Sequence, residues 1–200
     1  MREKLSKKKM LNKARTLFWS KGYHATSMRD IASAYGCKPA NIYNFFTNKE
    51  DILYQVLVGA MESVITPILP IADDTDMDPV EQVRLIITSH LKVNLKYRRA
   101  TALLFDMAMN FLPTQKQKKI VDLRDKYDKI IRNVVKRGVD SGCFPEIDAK
   151  LASFMIISML ARTRIWFHPK KGLSIDELAD FIFNFAIGGL SGSDSPKALN

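Results

Sequence analysis

Apolar side chains recur every three or four positions along most of the chain, and no stretch of useful length alternates apolar with polar residues. A period near 3.6 gathers side chains on one face of a helix, whereas a half-buried strand needs a period of two. The chain is therefore expected to be all-α, without a sheet. Met10, Leu11, Ala14, Leu17 and Phe18 mark a first helix over 4–21, with Lys7, Lys8, Lys9 and Lys13 on its other side. After Asn48 a long fourth helix follows through Ile52, Leu53, Val56, Leu57, Ala60, Met61, Val64 and Ile65. Pro67, Pro70 and the acidic run 73–79 read as its end and a loop. A fifth helix is expected near 80–97 through Val83, Ile86, Ile87, Leu91 and Leu95, and a sixth over 100–111, stopped by Pro113. A seventh runs through Ile120, Leu123, Tyr127, Ile130, Ile131, Val134 and Val135 to Gly138.

Between the first and fourth helices, residues 27–49 read as two short helices at a tight turn. Ser27 and Asp30 have the spacing of a capping box, in which each side chain accepts from the other residue's backbone N–H. Gly36 suits a left-handed turn position, and Pro39 suits a first helical turn, where a missing N–H costs nothing. Ile42 and Phe46 then face inward, while Lys38, Ala40, Asn41, Tyr43 and Asn44 face out. Such an outward row offers hydrogen-bonding tips to the edges of base pairs in a major groove. The pattern is a helix-turn-helix, closed into a three-helix head around Leu17, Phe18, Ile31, Ile42 and Phe46.

Residues 22–53 resemble the DNA-binding signature of the TetR family of bacterial transcriptional regulators. The resemblance lies in Gly22-Tyr23, Thr26-Ser27, Arg29-Asp30-Ile31-Ala32, Gly36, Tyr43, Phe46, Lys49-Glu50 and Leu53. It implies a nine-helix architecture: a DNA-binding head over 1–48, and a larger ligand-binding and dimerisation domain over 49–190. Residues 191–200 are polar and expected to be a disordered tail. By the resemblance, Ser27 with Thr26 nearby meets a phosphate, and Arg29 reads a base or binds a phosphate. Lys38, Tyr43 and Lys49 bind phosphates, and Ala40, Asn41 and Asn44 read bases. Asn suits adenine N6 and N7, and an Ala methyl suits a thymine methyl. The double-stranded operator is expected to be near-palindromic, because a two-fold dimer carries two heads.

Charge agrees with that placement. The net charge is +10, and residues 1–50 hold 11 Lys or Arg against 3 Asp or Glu. A basic end of this kind releases counterions from a phosphate backbone. There is no apolar run long enough to span a bilayer, and the basic start lacks the apolar stretch of a signal peptide, so a cytoplasmic protein without membrane attachment is expected. Cys37 and Cys143 lie far apart and read as small apolar residues.

The last two helices, over 151–161 and 178–189, are apolar nearly all round. A helix of that kind must be covered on every side. The fold covers one face and a second copy of the chain the other, so a homodimer is expected, with Phe154, Ile157, Phe181 and Phe185 at its interface. Pairing through the last two helices is also what the family resemblance implies.

Enzymatic function is not expected. His24, His90 and His168 sit in different segments, no His has a second ligand three or four residues away, and there is no Gly-rich phosphate loop, so neither metal nor cofactor is called for. Phe105, Met109, Phe154, Met155, Met159, Arg162 and Trp166 are the expected lining of a pocket for a small hydrophobic effector. Residues 124–144 and 159–179 resemble the ligand-binding half of TetR-family regulators of fatty-acid or sterol degradation, whose effectors are acyl-CoA thioesters. That similarity rests on Arg124 and Tyr127, on Gly138, Gly142 and Phe144, and on Trp166, Pro169, Gly172 and Ser174. It implies a repressor released by a fatty acyl-CoA. The alternative is a repressor of an efflux gene that responds to a drug-like hydrophobic molecule. A cationic drug calls for buried carboxylates or an aromatic cage, and acidic residues are scarce in these helices.

Overall fold

The computed structural model describes residues 6–96, 109–168 and 172–190. Among these residues all regular structure is helical. The elements are α1 (Lys7–Lys21), α2 (Met28–Tyr35), α3 (Pro39–Tyr43), α4 (Lys49–Ile65), α5 (Leu69–Asp73), α6 (Pro79–Lys96), a 3-10 turn (Met109–Phe111), α7 (Thr114–Asp140), α8 (Ala149–Trp166) and α9 (Ile175–Leu190). The helix expected over 100–111 falls outside the described residues except for Met109–Phe111. The tail 191–200 also lies outside them.

The chain packs as two compact units. The described parts of Met1–Glu62 and Tyr97–Leu123 make the first, and those of Ser63–Lys96 and Arg124–Asn200 the second. The first unit thus takes in the three-helix head, most of α4 and the opening turns of α7. Its core is Met10, Ala14, Phe18, Ile31, Ile42, Phe46, Ile52 and Leu53, all buried. These are positions that the helical period of the sequence selects, whereas Leu17, expected beside Phe18 in this core, is half-buried.

In the second unit α6, α7, α8 and α9 bury one side each. α6 packs against α9, and Val83, Ile86, Ile87 and Leu91 of the one and Leu178, Ile182 and Phe183 of the other are buried. Along the exposed rim of the α6–α9 packing, Arg84 pairs with Asp180 at 3.0 Å and lies 3.9 Å over the Phe183 ring. Lys92 pairs with Asp176 at 2.9 Å. Arg137 of α7 donates to the Ala72 carbonyl and to Gln82, whose own amide donates to the carbonyls of Ile71 and Asp74. These bonds hold the α5–α6 connection.

α5 stands where the sequence pointed to a loop. Pro70 falls in the first turn of a helix, where its missing N–H leaves no bond unmade, so it helps to start α5 rather than merely ending α4. α8 runs five residues past the expected end at Ala161, and the polar Thr163 is accommodated there, buried, by donating its hydroxyl to the Leu160 carbonyl at 2.7 Å. α9 begins at Ile175, where Ser174 and Glu177 form a reciprocal cap at 2.7 and 3.1 Å. Among the described residues no helix is long and apolar enough to cross a membrane.

Candidate nucleic-acid interface

The head is built on local caps. Ser27 accepts from the Asp30 N–H at 3.1 Å, and its own N–H and hydroxyl donate to the Asp30 carboxylate at 2.8 and 2.6 Å. Bonds from the Ser27 hydroxyl and N–H hold the Asp30 carboxyl down to about 2, with a smaller contribution from Lys21. α2 ends at Gly36, which takes φ 83° and ψ 37°, a left-handed conformation that a Cβ disfavours. Lys38 is the N-cap of α3 and Pro39 its first residue. The turn carries on past Tyr43, since Asn44 keeps helical angles and the Phe45 and Phe46 N–H groups donate to the Ile42 carbonyl at 2.9 and 3.1 Å.

This geometry sorts the side chains. Ile42 and Phe46 are buried, whereas Lys38, Ala40 and Asn44 are exposed, Tyr43 is 56% exposed and Asn41 is half-buried. Ser27 and Arg29 at the start of α2 are exposed too. Four of the five residues of the expected outward row are thus exposed, and Asn41 is partly covered. Two residues of the expected set are placed differently. Thr26 is 1% exposed and its hydroxyl donates to the Gly22 carbonyl at 2.8 Å, closing the loop before α2. Lys49 is half-buried, and its ammonium donates to the carbonyls of Tyr23 and His24 at 2.9 and 3.3 Å.

The same loop is held from a third side. The Tyr23 ring stacks on Phe111 of the 3-10 turn, centroids 5.0 Å apart, and His24 meets Phe111 edge-on at 4.5 Å. Nearby, Lys116 at the start of α7 pairs with Glu50 of α4 at 2.8 Å. Burial first, and the Glu50 charge second, push the Tyr23 phenol up. The sequence gives little warning of this cluster, because Phe111 lies almost ninety residues from Tyr23 and no local pattern links them.

The expected interface residues Phe154, Phe181 and Phe185 are exposed, and Ile157 is half-buried. On α8 the exposed set continues with Leu151, Met155, Ile165 and Trp166 at helical spacing. Of the expected pocket residues, Phe154, Met155, Arg162 and Trp166 therefore share this outward face, and Met159 is half-buried. Met109 is half-buried in the first unit, and Phe105 lies outside the described residues. Sequence reasoning missed a buried polar pair in the second unit. His90 of α6 and Tyr127 of α7 are both buried, with Nδ1 2.5 Å from the phenolic oxygen. The available signal was a polar residue in each apolar stripe, His90 beside Ile86, Ile87 and Leu91, and Tyr127 between Ile120 and Ile131. Among the described residues no three His, Cys, Asp or Glu side chains gather as a metal site.

A capped helix-turn-helix with its polar tips outward, joined in sequence to a larger helical body, is the architecture of a DNA-binding transcriptional regulator. The family profile for bacterial regulatory proteins of the tetR family matches residues 10–56, and that for the tetracyclin repressor-like C-terminal domain matches residues 76–190. The chain belongs to the TetR family. It is 24% identical over 184 residues to the HTH-type transcriptional repressor KstR2 of Rhodococcus jostii, covering 91% of this chain and 89% of that one. Among solved structures it is similar to the TetR family transcriptional regulator PfmR from Thermus thermophilus, with a TM-score of 0.80 and 28% identity over 93% of this chain and 99% of that one. AibR, solved in complex with isovaleryl coenzyme A and operator DNA, shares the fold at a TM-score of 0.78 and 22% identity, covering 92% and 97% of the two chains.

Proposed function

We propose that the chain is a homodimeric repressor, released from a near-palindromic operator when a hydrophobic effector, a fatty acyl-CoA, binds its domain over 49–190. The observation that carries the DNA part is the exposed row Lys38, Ala40, Tyr43 and Asn44 on a turn whose inner side, Ile42 and Phe46, is buried. In this reading Ala40, Asn41 and Asn44 meet base edges, while Ser27, Arg29, Lys38 and Tyr43 meet the backbone and set register. Thr26 and Lys49 act through the loop they hold. The dimer reading draws on Phe181 and Phe185, which are 67% and 66% exposed on a helix whose opposite face is buried, because an exposed apolar pair of this kind marks an interaction surface.

The repressor sense and the ligand class draw on relatives. The Rhodococcus relative is named a transcriptional repressor, and AibR is solved with a coenzyme A thioester and operator DNA. A cationic drug fits less well, since the buried carboxylate Asp128 is already engaged by Ser153 at 2.6 Å and by Arg132. Coupling of about 1–3 kcal/mol between effector and operator suffices to weaken DNA binding measurably.

The test is fluorescence anisotropy of a labelled fragment from upstream of the protein's own gene, at stated salt, with and without a panel of acyl-CoAs. Tight binding that a long-chain acyl-CoA abolishes is the expected result. Tight binding indifferent to every acyl-CoA removes the lipid reading and leaves the regulator.

A further inference from the structure

His90 projects from α6 into the second unit, on the face that carries Ile86, Ile87 and Leu91, and its ring is buried. One ring nitrogen, Nδ1, lies 2.5 Å from the Tyr127 hydroxyl. The other, Nε2, is buried and has no hydrogen-bonding partner among the described residues. Buried polar atoms are rarely left this way, because the group gives up its bond to water and receives nothing in exchange.

Counting protons fixes which atom is left over. If Nδ1 donated to Tyr127, the phenolic hydrogen and the Nε2 lone pair would both lack a partner. If Tyr127 donates to Nδ1, only the Nε2–H is left over. The second arrangement makes one more bond, so the imidazole presents Nε2–H as a donor. Burial first, and the nearby Arg164 guanidinium of α8 second, push His90 down to about 4, so the ring is neutral near neutral pH. A neutral donor in the field of a cation favours an oxygen with excess negative charge and disfavours a cationic group. The neighbouring polar groups on this seam are already used. Asn94, one turn along α6, donates to the Leu160 carbonyl at 3.1 Å, and Thr163 donates to the same carbonyl at 2.7 Å.

We propose that the His90 Nε2–H, held by Tyr127 and flanked by Arg164, binds the acyl oxygen of an otherwise apolar effector: the carbonyl of a thioester or the carboxyl of a free fatty acid. This deepens the effector reading above and rests on it. It places a polar anchor of the effector in the α6–α7–α8 interior, away from Arg162, which faces outward.

The probes are palmitoyl-CoA, palmitate and S-hexadecyl-CoA, a thioether that keeps the chain and the nucleotide but lacks the carbonyl. Calorimetric titration of the wild-type protein is expected to show palmitoyl-CoA binding about tenfold tighter than the thioether, the scale of one buried hydrogen bond. His90→Phe is expected to abolish that preference while leaving thioether affinity in place, and His90→Gln, which keeps a donor, to restore part of it. Palmitate binding that His90→Phe weakens in parallel points to the carboxyl source; palmitate that does not bind points to the thioester. Equal wild-type affinity for thioester and thioether overturns the subsite and leaves the acyl-CoA reading standing. No binding of any of the three overturns both. If His90→Phe does not fold, the wild-type protein decides the matter by NMR with nitrogen-15 histidine. A His90 Nε2–H signal that moves with palmitoyl-CoA and not with the thioether supports the anchor; an Nδ1–H ring, or a signal unmoved by either, overturns it.

Discussion

The Lys49 ammonium donates to the Tyr23 carbonyl at 2.9 Å and stands 4.4 Å from the centre of the same residue's ring. One side chain at the start of α4 thus fixes both the backbone and the aromatic ring of the loop that leads into α2. Lys49→Met is expected to cost about 1.5–3 kcal/mol of stability, the range for a hydrogen bond to a charged group, and to weaken operator binding by loosening that loop. The dependence of affinity on salt separates this role from direct contact with DNA. A lysine on a phosphate contributes about 0.9 to the slope of log affinity against log salt. The slope is expected to stay unchanged in Lys49→Met; a slope shallower by about 1 would show that the ammonium leaves Tyr23 for the phosphate.

Arg29 of α2 and Lys38 at the start of α3 are exposed cations, and Asn41 and Asn44 follow within α3 and at its C-cap, so the two pairs should fail in different ways. Removing either cation is expected to weaken binding to all sequences alike and to reduce the salt slope by about 1. Asn44→Ala or Asn41→Ala is expected to relax preference at one operator position by about 1–3 kcal/mol. Competition binding against a library of single-base operator variants reads both effects. A uniform loss in the Asn variants would remove α3 from base reading.

Much of this head is legible in the chain because its signals are local. Ser27, Asp30, Gly36 and Pro39 act within four residues of where they stand, and the structure puts each in its expected role. Ile42 and Phe46 needed only a helical period to be placed inside. Lys49 was harder, since its partners Tyr23 and His24 lie more than twenty residues away and a helix-start lysine looks the same whether it faces a carbonyl or a phosphate. The outward set on α8 was hard for another reason. Phe154, Met155 and Trp166 are apolar, and composition does not separate a residue awaiting a second chain from one lining a cavity. His90 and Tyr127 show the limit of periodicity: both sit at core positions, and only three-dimensional packing reveals that they meet each other.

The cap of α2 should leave a mark in acid. The Asp30 carboxyl is held down to about 2 by bonds from Ser27, whereas an unfolded aspartate titrates near 3.9, or about two units higher. A depressed carboxyl contributes stability that is fully present above the unfolded value and lost as pH falls through the folded one. The melting temperature of the wild-type protein is therefore expected to exceed that of Asp30→Asn near neutrality, with the gap closing between about pH 4 and pH 2. A gap that persists at the acid end would mean that shape rather than charge makes the cap.

Phe181 and Phe185 lie one helical turn apart on the exposed side of α9. Burying each phenyl ring is worth about 1.5–3 kcal/mol, and a two-fold interface contains every residue twice. Phe181→Glu is thus expected to convert a dimer to a monomer in sedimentation velocity and, with one head in place of two, to lower operator affinity steeply. A variant that stays dimeric would place the pairing surface elsewhere.

Gly138 near the end of α7 is a glycine for reasons of space. A Cβ there would come within 2.2 and 2.4 Å of Cδ2 and Cε2 of the buried Phe144 ring, and the Phe144 N–H donates to the Gly138 carbonyl at 2.9 Å. Two effects of Gly138→Ala oppose each other. Helix propensity favours alanine by up to about 1 kcal/mol, while forcing the ring out of a packed site costs about 1–3 kcal/mol. The clash is the larger, so the variant is expected to melt lower, by roughly 2–4 °C for each kcal/mol lost in a domain of this size. Phe144→Ala removes the ring and is expected to cost about 3–5 kcal/mol. In that background the ring atoms that Gly138→Ala would strike are gone, so its sign should reverse and the double variant should melt at or above Phe144→Ala alone. Gly142 provides the contrast: nothing lies within 4 Å of its missing Cβ, but its φ of 76° is one that side chains rarely adopt. Gly142→Ala is therefore expected to destabilise both backgrounds equally. If Gly138→Ala did the same, strain in the α7 backbone rather than the Phe144 ring would be the cause.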